Sequence, residues 1–108
     1  MVRTMIAAAL LAAQAGGALA QEVRLGRPGA DNVYVWTDLA AFREAVKLIE
    51  ANVHETNPAL VTRLLACAPR PGDRAAIVED RGASLTIVVT EGRAAGCRGL
   101  VTKEELGR

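Results

Sequence analysis

The chain has 108 residues, of which 51% are hydrophobic, 23% charged and 3% aromatic, and its formal net charge is +1. This length supports one domain with a modest core. Nucleic acids and anionic membranes select proteins with a basic excess or a clustered basic face, so the near-neutral charge argues against both partners.

Residues 1–20 have the three-part layout of a secretory signal peptide. Arg3 gives the positive start, residues 5–13 form the apolar run, and an A-x-A cleavage sequence ends at Ala20. We therefore expect cleavage after Ala20 and a periplasmic or secreted location.

An uncleaved membrane anchor is the alternative for this segment. However, Gln14, Gly16 and Gly17 interrupt the apolar run well below the ~20 residues that a spanning helix needs. We expect no stable membrane insertion after cleavage. Without residues 1–20 the chain is formally neutral, with 12 basic and 12 acidic residues.

Residues 21–36 are predicted to be a flexible leader. Gly26, Pro28 and Gly29 punctuate its first part, which has no apolar periodicity. The apolar run that ends it, residues 33–36, has two interpretations. It is either a short edge strand or a lead-in whose aromatic side chains pack on the next helix.

An amphipathic helix is predicted from about Asp38 to Ala51, with Thr37 or Asp38 as its cap and Asn52 as a left-handed stop. Its apolar residues recur at spacings of three and four: Leu39, Phe42, Val46, Ile49 and Val53.

A second, shorter helix is predicted over residues 59–66, because Asn57 and Pro58 are typical of a helix start. The segment is too short to exclude a strand. Pro69, Pro71 and Gly72 then separate this helical half from the rest of the chain.

The remaining residues change to the period of two that is typical of strands. Thr102 and Glu105 are spaced as in a capping box, which predicts a final helical turn. Before that turn we expect strands at 75–79, 84–90 and 100–101, a turn at 80–83 and a glycine-rich connection at 92–99.

Cys67 and Cys97 are predicted to form one structural disulfide, as is usual for two cysteines in a small exported chain. Two free thiols or an intermolecular bridge are the alternatives. A redox pair is a third, but redox motifs usually hold both sulfurs in a short C-x-x-C.

No catalytic residue, metal ligand or cofactor site is predicted. His54 is the only histidine, and the polar loop around it holds no cluster of partners for a general base or a metal ion. We expect it to be a solvated or loop-packing residue. The glycines between 92 and 99 lack the Lys-Ser/Thr of a phosphate loop.

A candidate binding surface combines Arg93 and Arg98 of the glycine connection with Tyr34 and Trp36 of the leader. Lys103 would add to the basic character around this connection. A mixed, solvated face is the alternative, because Glu91, Glu104 and Glu105 lie close by in the sequence.

The order strand, turn, strand, followed by Gly92, Gly96, Gly99, Leu100-Val101 and Glu105-Leu106, resembles the end of bacterial SH3-like domains. The resemblance covers residues 74–106 and implies a small antiparallel barrel. Leu100 stands where many such domains carry an aromatic residue, so no ligand class follows. The whole chain also resembles small exported proteins of Gram-negative bacteria.

We therefore expect an α+β protein in which two N-terminal helices pack on a small antiparallel SH3-like β-barrel with one disulfide. Residues 37–108 would form one domain, with a helical half at 37–68 and an SH3-like half at 74–108. We expect its core to contain Phe42, Val46, Ile49, Leu64, Ile77, Leu85, Ile87, Val89 and Val101.

The expected function is that of a non-catalytic exported binding module of the cell envelope, whose partner is a protein or a cell-wall component. One alternative is a small periplasmic inhibitor or immunity-type protein that inserts residues 92–99 into a secreted enzyme. A thiol-disulfide protein is the third.

Overall fold

The structure, a computed structural model, describes residues 21–107, so the predicted signal peptide lies outside the described residues. They form an α+β fold with three helices and a six-stranded antiparallel sheet, as the predicted class requires. The helices are α1 (Leu39–Glu50), α2 (Val53–Thr56) and α3 (Ala59–Thr62). The strands are β1 (Glu22–Arg24), β2 (Val35–Trp36), β3 (Leu65–Cys67), β4 (Arg74–Asp80), β5 (Ser84–Val89) and β6 (Arg98–Thr102).

The strands lie in the order β1-β4-β5-β6-β2-β3. β4, β5 and β6 follow one another directly, with Ile77 opposite Ile87 and Leu85 opposite Val101. β1 and β3 are the outer strands, and the sheet is not closed. The predicted SH3-like barrel is therefore not confirmed.

One face of the sheet carries an aliphatic core. Leu85, Ile87 and Val89 alternate along β5 and are each at most 1% exposed, because every second strand residue points to the same face. The prediction that these three residues and Val101 belong to the core is confirmed. The buried members of this core are Leu25, Val33, Val35, Ala75, Leu85, Ile87, Val89 and Val101.

Residues 21–36, predicted as a flexible leader, instead hold two strands and part of this core. β1 pairs with β4, and Leu25, Val33 and Val35 are at most 1% exposed. Strands of two or three residues are too short to show a period in the sequence. Their hydrogen bonds to distant strands hold them in place.

Helix α1 packs over the other face of the sheet. Asp38 caps it as predicted, since its side chain accepts a hydrogen bond from the Ala41 backbone N–H at 2.7 Å. Its buried residues are Ala41 and Ala45, which belong to a second cluster with Trp36 and Leu100.

The predicted contact stripe of α1 is only partly correct. Phe42 and Val46 are half-buried, and Ile49 is 40% exposed rather than in the core. The buried side chains of α1 are the small ones of Ala41 and Ala45, one turn apart, while larger side chains such as Phe42 are only partly buried against the same cluster. A pattern that counts only large apolar residues misses this stripe.

Residues 59–66, which the sequence predicts as a helix without excluding a strand, contain parts of both. α3 ends at Thr62, and β3 begins at Leu65 and forms the outer edge of the sheet. The structure adds α2 where the sequence predicts a polar loop. Asn52 precedes it in the left-handed conformation (φ +61°), as expected for a helix stop. No helix among residues 21–107 is long and apolar enough to cross a membrane.

The disulfide between Cys67 and Cys97 is present, with the two Cα atoms 6.5 Å apart. It joins the edge strand β3 to the glycine connection, in which Gly92 and Gly96 have positive φ. Gly99 is needed for a different reason. It lies within β6, where a Cβ would collide with the backbone carbonyl oxygen of Trp36.

The predicted final turn is a 3₁₀ helix, Lys103–Glu105. The predicted capping box is not formed, because the Thr102 side chain makes no capping hydrogen bond. Glu105 is instead buried. After this turn, Leu106 forms an isolated antiparallel bridge with Leu25, which brings the beginning and the end of the described chain together.

Candidate functional site

An open apolar pocket of about 340 Å³ lies between β2, the start of β3 and the three helices. This volume is near the lower end of the roughly 300–1,000 Å³ that small-ligand pockets span. We call it the aromatic pocket. It is lined by Tyr34, Trp36, Ile49, His54, Pro58, Val61, Thr62 and Leu65.

Its aromatic side chains form a row that runs onto α1. The ring centroids of Tyr34 and Trp36 are 6.0 Å apart, and those of Trp36 and Phe42 are 6.1 Å apart. Both pairs are tilted, which is a favourable arrangement for aromatic rings. Trp36 is 7% exposed and Tyr34 36% exposed, so the row leads from a buried anchor to an accessible ring.

Both interpretations of the apolar run before α1 are therefore partly right. β2 is a strand, but it lies between β6 and β3 rather than at the edge of the sheet. Its Trp36 also packs on the next helix, through Phe42. Trp36 thereby connects the sheet, α1 and the aromatic pocket.

His54 lies on α2 and lines the aromatic pocket, so it is a half-buried pocket residue and not a solvated loop residue. Its Nδ1 atom is buried and makes no hydrogen bond within residues 21–107. A buried ring nitrogen without a partner costs free energy. The same residues contain no group of three or more histidine, cysteine, aspartate or glutamate side chains that could hold a metal ion.

A second concavity, of about 430 Å³, lies on the other side of α1, between its first residues and the β4–β5–β6 surface. We call it the polar cleft. The Arg81 guanidinium group pairs with the Glu79 carboxylate at 3.2 Å in this cleft. Arg98, on β6, also lines it. Its lining residues are Thr37, Asp38, Leu39, Ala40, Glu79, Arg81, Thr86, Arg98, Gly99 and Leu100.

The glycine connection forms a compact loop beside the disulfide. The Ala95 N–H donates to the Gly92 carbonyl at 3.1 Å, and the Gly96 N–H donates to the Val89 carbonyl at 2.7 Å. Arg93 is exposed and donates a long hydrogen bond of 3.5 Å to the Ala68 carbonyl. The loop is thus bound to itself, to β5 and to the segment after β3.

The structure brings together two of the four residues predicted for a binding surface. Tyr34 and Trp36 share the aromatic pocket. Arg98 lines the polar cleft, and Arg93 extends from the glycine connection towards Ala68. The two arginines and the aromatic pair therefore do not line a common pocket.

Comparison of the chain with protein-family models, with curated proteins and with solved structures finds no match in any of the three.

The sequence does not predict the helical wall of the aromatic pocket. It predicts Ile49 in the core and Pro58 only as a helix start. The available signal was the close succession of helix breaks at Asn52 and Asn57-Pro58. These breaks show that the chain turns sharply, but they do not show what it turns towards.

Proposed function

We propose that the chain is a non-catalytic exported binding module of the cell envelope, and that its aromatic pocket receives apolar side chains of a partner protein. The aromatic pocket is the observation that carries the proposal. It combines an open apolar cavity with two large side chains, Tyr34 and Ile49, that are 36% and 40% exposed.

Most of the exposed apolar side chains lie on elements that line the aromatic pocket. Four large hydrophobic residues are substantially exposed within residues 21–107. Tyr34 and Ile49 line the aromatic pocket. Leu60 lies on α3, which contributes to the wall of this pocket. Val78, on β4, is the fourth. Clustered apolar exposure is typical of interaction sites, whereas single exposed residues are common everywhere.

The pocket is also built on fixed elements. Trp36 is buried, and its strand pairs with both β6 and β3. A surface that is already ordered loses little conformational entropy when it binds. Tyrosine and tryptophan are among the residues that contribute most to binding at interfaces.

The SH3-like interpretation of the β half is part of this proposal. It is supported by the consecutive strands β4, β5 and β6, by the 3₁₀ turn that follows them, and by the bridge between Leu25 and Leu106. In this interpretation β1 is the first strand of an open SH3-like unit. The three helices are then an insertion between its first and second strands.

Export is the other part of the proposal. The sequence of residues 1–20 supports secretion with cleavage after Ala20, and a disulfide is typical of oxidising compartments. Mass spectrometry of the protein recovered from a periplasmic fraction tests both points. A mature N-terminus at Gln21 is the expected result, and an intact N-terminal Met1 in the cytoplasmic fraction would contradict it.

Binding is tested with the protein immobilised and exposed to a periplasmic extract, beside a sedimentation assay with peptidoglycan. The double variant Tyr34→Ser/Ile49→Ser removes two exposed walls of the pocket, and Val78→Ser removes a similar exposed side chain outside it. We expect one partner protein to be retained by the wild type and by Val78→Ser, and lost by the double variant. Equal retention by all three proteins, or co-sedimentation with peptidoglycan alone, would reject this partner class.

A second candidate function is that of an inhibitor or immunity-type protein that inserts the glycine connection into a secreted enzyme. The rigidity of this loop favours it, since hydrogen bonds and the disulfide hold the loop while Arg93 stays exposed. Arg93→Ala should then abolish inhibition, and Arg98→Ala, in the polar cleft, should not. Full inhibition by Arg93→Ala excludes the loop.

A further inference from the structure

The beginning and the end of the described chain meet in one hydrogen-bonded junction. The Gly26 N–H donates to the Glu105 carbonyl, and the Gly107 N–H donates to the Arg24 carbonyl, both at 2.6 Å. We call residues 24–27 and 105–107 the terminal junction. It is what holds the leader against the last turn of the fold.

The other side of the same leader segment is also paired. The Leu25 N–H donates to the Asp73 carbonyl at 2.9 Å, and the Gly72 N–H donates to the Leu25 carbonyl at 2.7 Å. Leu25 is only 1% exposed. The segment is therefore held between the start of β4 and the terminal residues.

A buried carboxyl group lies in this junction. The side chain of Glu105 is 7% exposed, and its Oε1 atom makes no hydrogen bond within residues 21–107. Its nearest cation is Arg27, whose Nε atom is 3.8 Å from Oε1 and whose side chain is 48% exposed. This distance is beyond hydrogen-bonding range, so the negative charge is buried with incomplete compensation.

The groups around Glu105 shift the pKa of its carboxyl group in opposite directions. Burial raises the pKa of its carboxyl group above the usual value of 4.5, while Arg27 and a backbone hydrogen bond from Tyr34 lower it and the neighbouring Glu104 raises it further. Burial is the largest of these effects. Lys103, on the same turn, pairs with Asp80 at 3.8 Å.

We propose that Glu105 makes the terminal junction a pH-sensitive contact, which holds the leader more tightly when the Glu105 carboxyl group is protonated. The carboxylate form places an incompletely compensated charge between two chain segments. The neutral acid removes that charge and can donate a hydrogen bond of its own. The junction should therefore open more readily at neutral pH than in mild acid.

The sign of this pH dependence follows from the linkage between protonation and folding. A carboxyl group with a raised pKa in the folded state binds its proton more tightly there than in the open state. Its contribution to stability therefore improves as the pH falls through the folded-state pKa. The gain is complete below the usual pKa of 4.5.

Amide hydrogen exchange tests the proposal between about pH 8 and about pH 4, because exchange reports local opening residue by residue. The probes are the Gly26 and Gly107 amides of the junction, and the Val89 amide, bonded to the Cys97 carbonyl, is the distant reference. Exchange is compared between the wild type and Glu105→Gln, which keeps the size of the side chain and removes its charge.

Glu105→Gln should slow opening of the junction amides roughly fivefold or more at about pH 8, and the difference from wild type should vanish at about pH 4. Glu104→Gln is the matched control, because this exposed neighbour carries the same charge. It should change junction exchange much less. Equal exchange in wild type and Glu105→Gln across the range, or an equal effect of Glu104→Gln, overturns the proposal.

Arg27→Gln provides a test in the opposite direction. It removes the cation nearest to Glu105, so it should speed opening of the junction at about pH 8 and have little effect at about pH 4. In a Glu105→Gln background it should have little effect at either pH. Equal acceleration in both backgrounds would mean that Arg27 acts through packing alone and would contradict the electrostatic role of Glu105.

Discussion

The two faces of the sheet differ in how completely they are covered. One face holds an aliphatic core in which eight residues are almost fully buried. The other is covered by α1 only in part, and the two concavities, the aromatic pocket and the polar cleft, lie on either side of that helix. One face is thus closed by packing, whereas the other leaves two concavities open beside α1.

The sharpest test of this difference uses neighbouring residues of β5. Ile87 is fully buried in the aliphatic core, whereas Val88 points to the other face and is half-buried. Ile87→Ala should lower the free energy of unfolding by about 4 kcal/mol, since it removes buried methyl groups and leaves a cavity. Val88→Ala should cost only about 1 kcal/mol. Urea denaturation of both variants measures the contrast, and equal losses would show that the two faces contribute alike.

The disulfide should give the next largest effect, because it ties the edge strand β3 to the loop before β6. Replacing both cysteines, Cys67→Ser with Cys97→Ser, should lower the free energy of unfolding by about 3 kcal/mol through the greater freedom of the unfolded chain. Chemical reduction of the wild type should give the same loss. A loss below about 1 kcal/mol would mean that packing alone holds β3.

Coverage of the second face depends on how α1 begins. Asp38→Ala removes the hydrogen bond to the Ala41 backbone N–H and should cost about 1 kcal/mol of unfolding free energy. Asp31→Ala, an exposed leader residue, serves as the control and should have no measurable effect. Thermal denaturation followed by circular dichroism measures both. An unchanged midpoint for Asp38→Ala would indicate that packing of Ala41 and Ala45 suffices to fix the helix.

The smallest effect on stability is expected in the aromatic pocket. Tyr34→Ser alters an exposed ring and should change the free energy of unfolding by no more than about 0.5 kcal/mol. Its effect should be seen in partner binding. A loss of stability as large as that of Ile87→Ala would assign Tyr34 to the core and remove the distinction between the two faces.

The sequence predicted those parts of the fold whose pattern is local. The alternation along β5, the cap and extent of α1 and the pairing of the two cysteines each depend on residues that are close in sequence or few in number. β1 and β2 could not be predicted in this way, because two or three residues have no period and gain their order from distant strands.

The candidate site was harder to predict for the same physical reason. Tyr34 and Trp36 stood out because aromatic residues are rare in this chain. The helical wall of the pocket depends on which side of α1 is buried, that of Ala41 and Ala45, and on sharp turns at Asn52 and Pro58. Neither feature fixes which residues meet across the pocket until the chain has folded.

The disulfide has one more consequence, for the covalent topology of the chain. Cys67 and Cys97 are 30 positions apart and enclose the whole β4–β5 hairpin in a covalent ring. The tip of that hairpin, at Arg81, Gly82 and Ala83, is exposed. A protease that cuts there once opens the ring but releases neither fragment. On a denaturing gel the nicked protein should separate into two bands only after reduction.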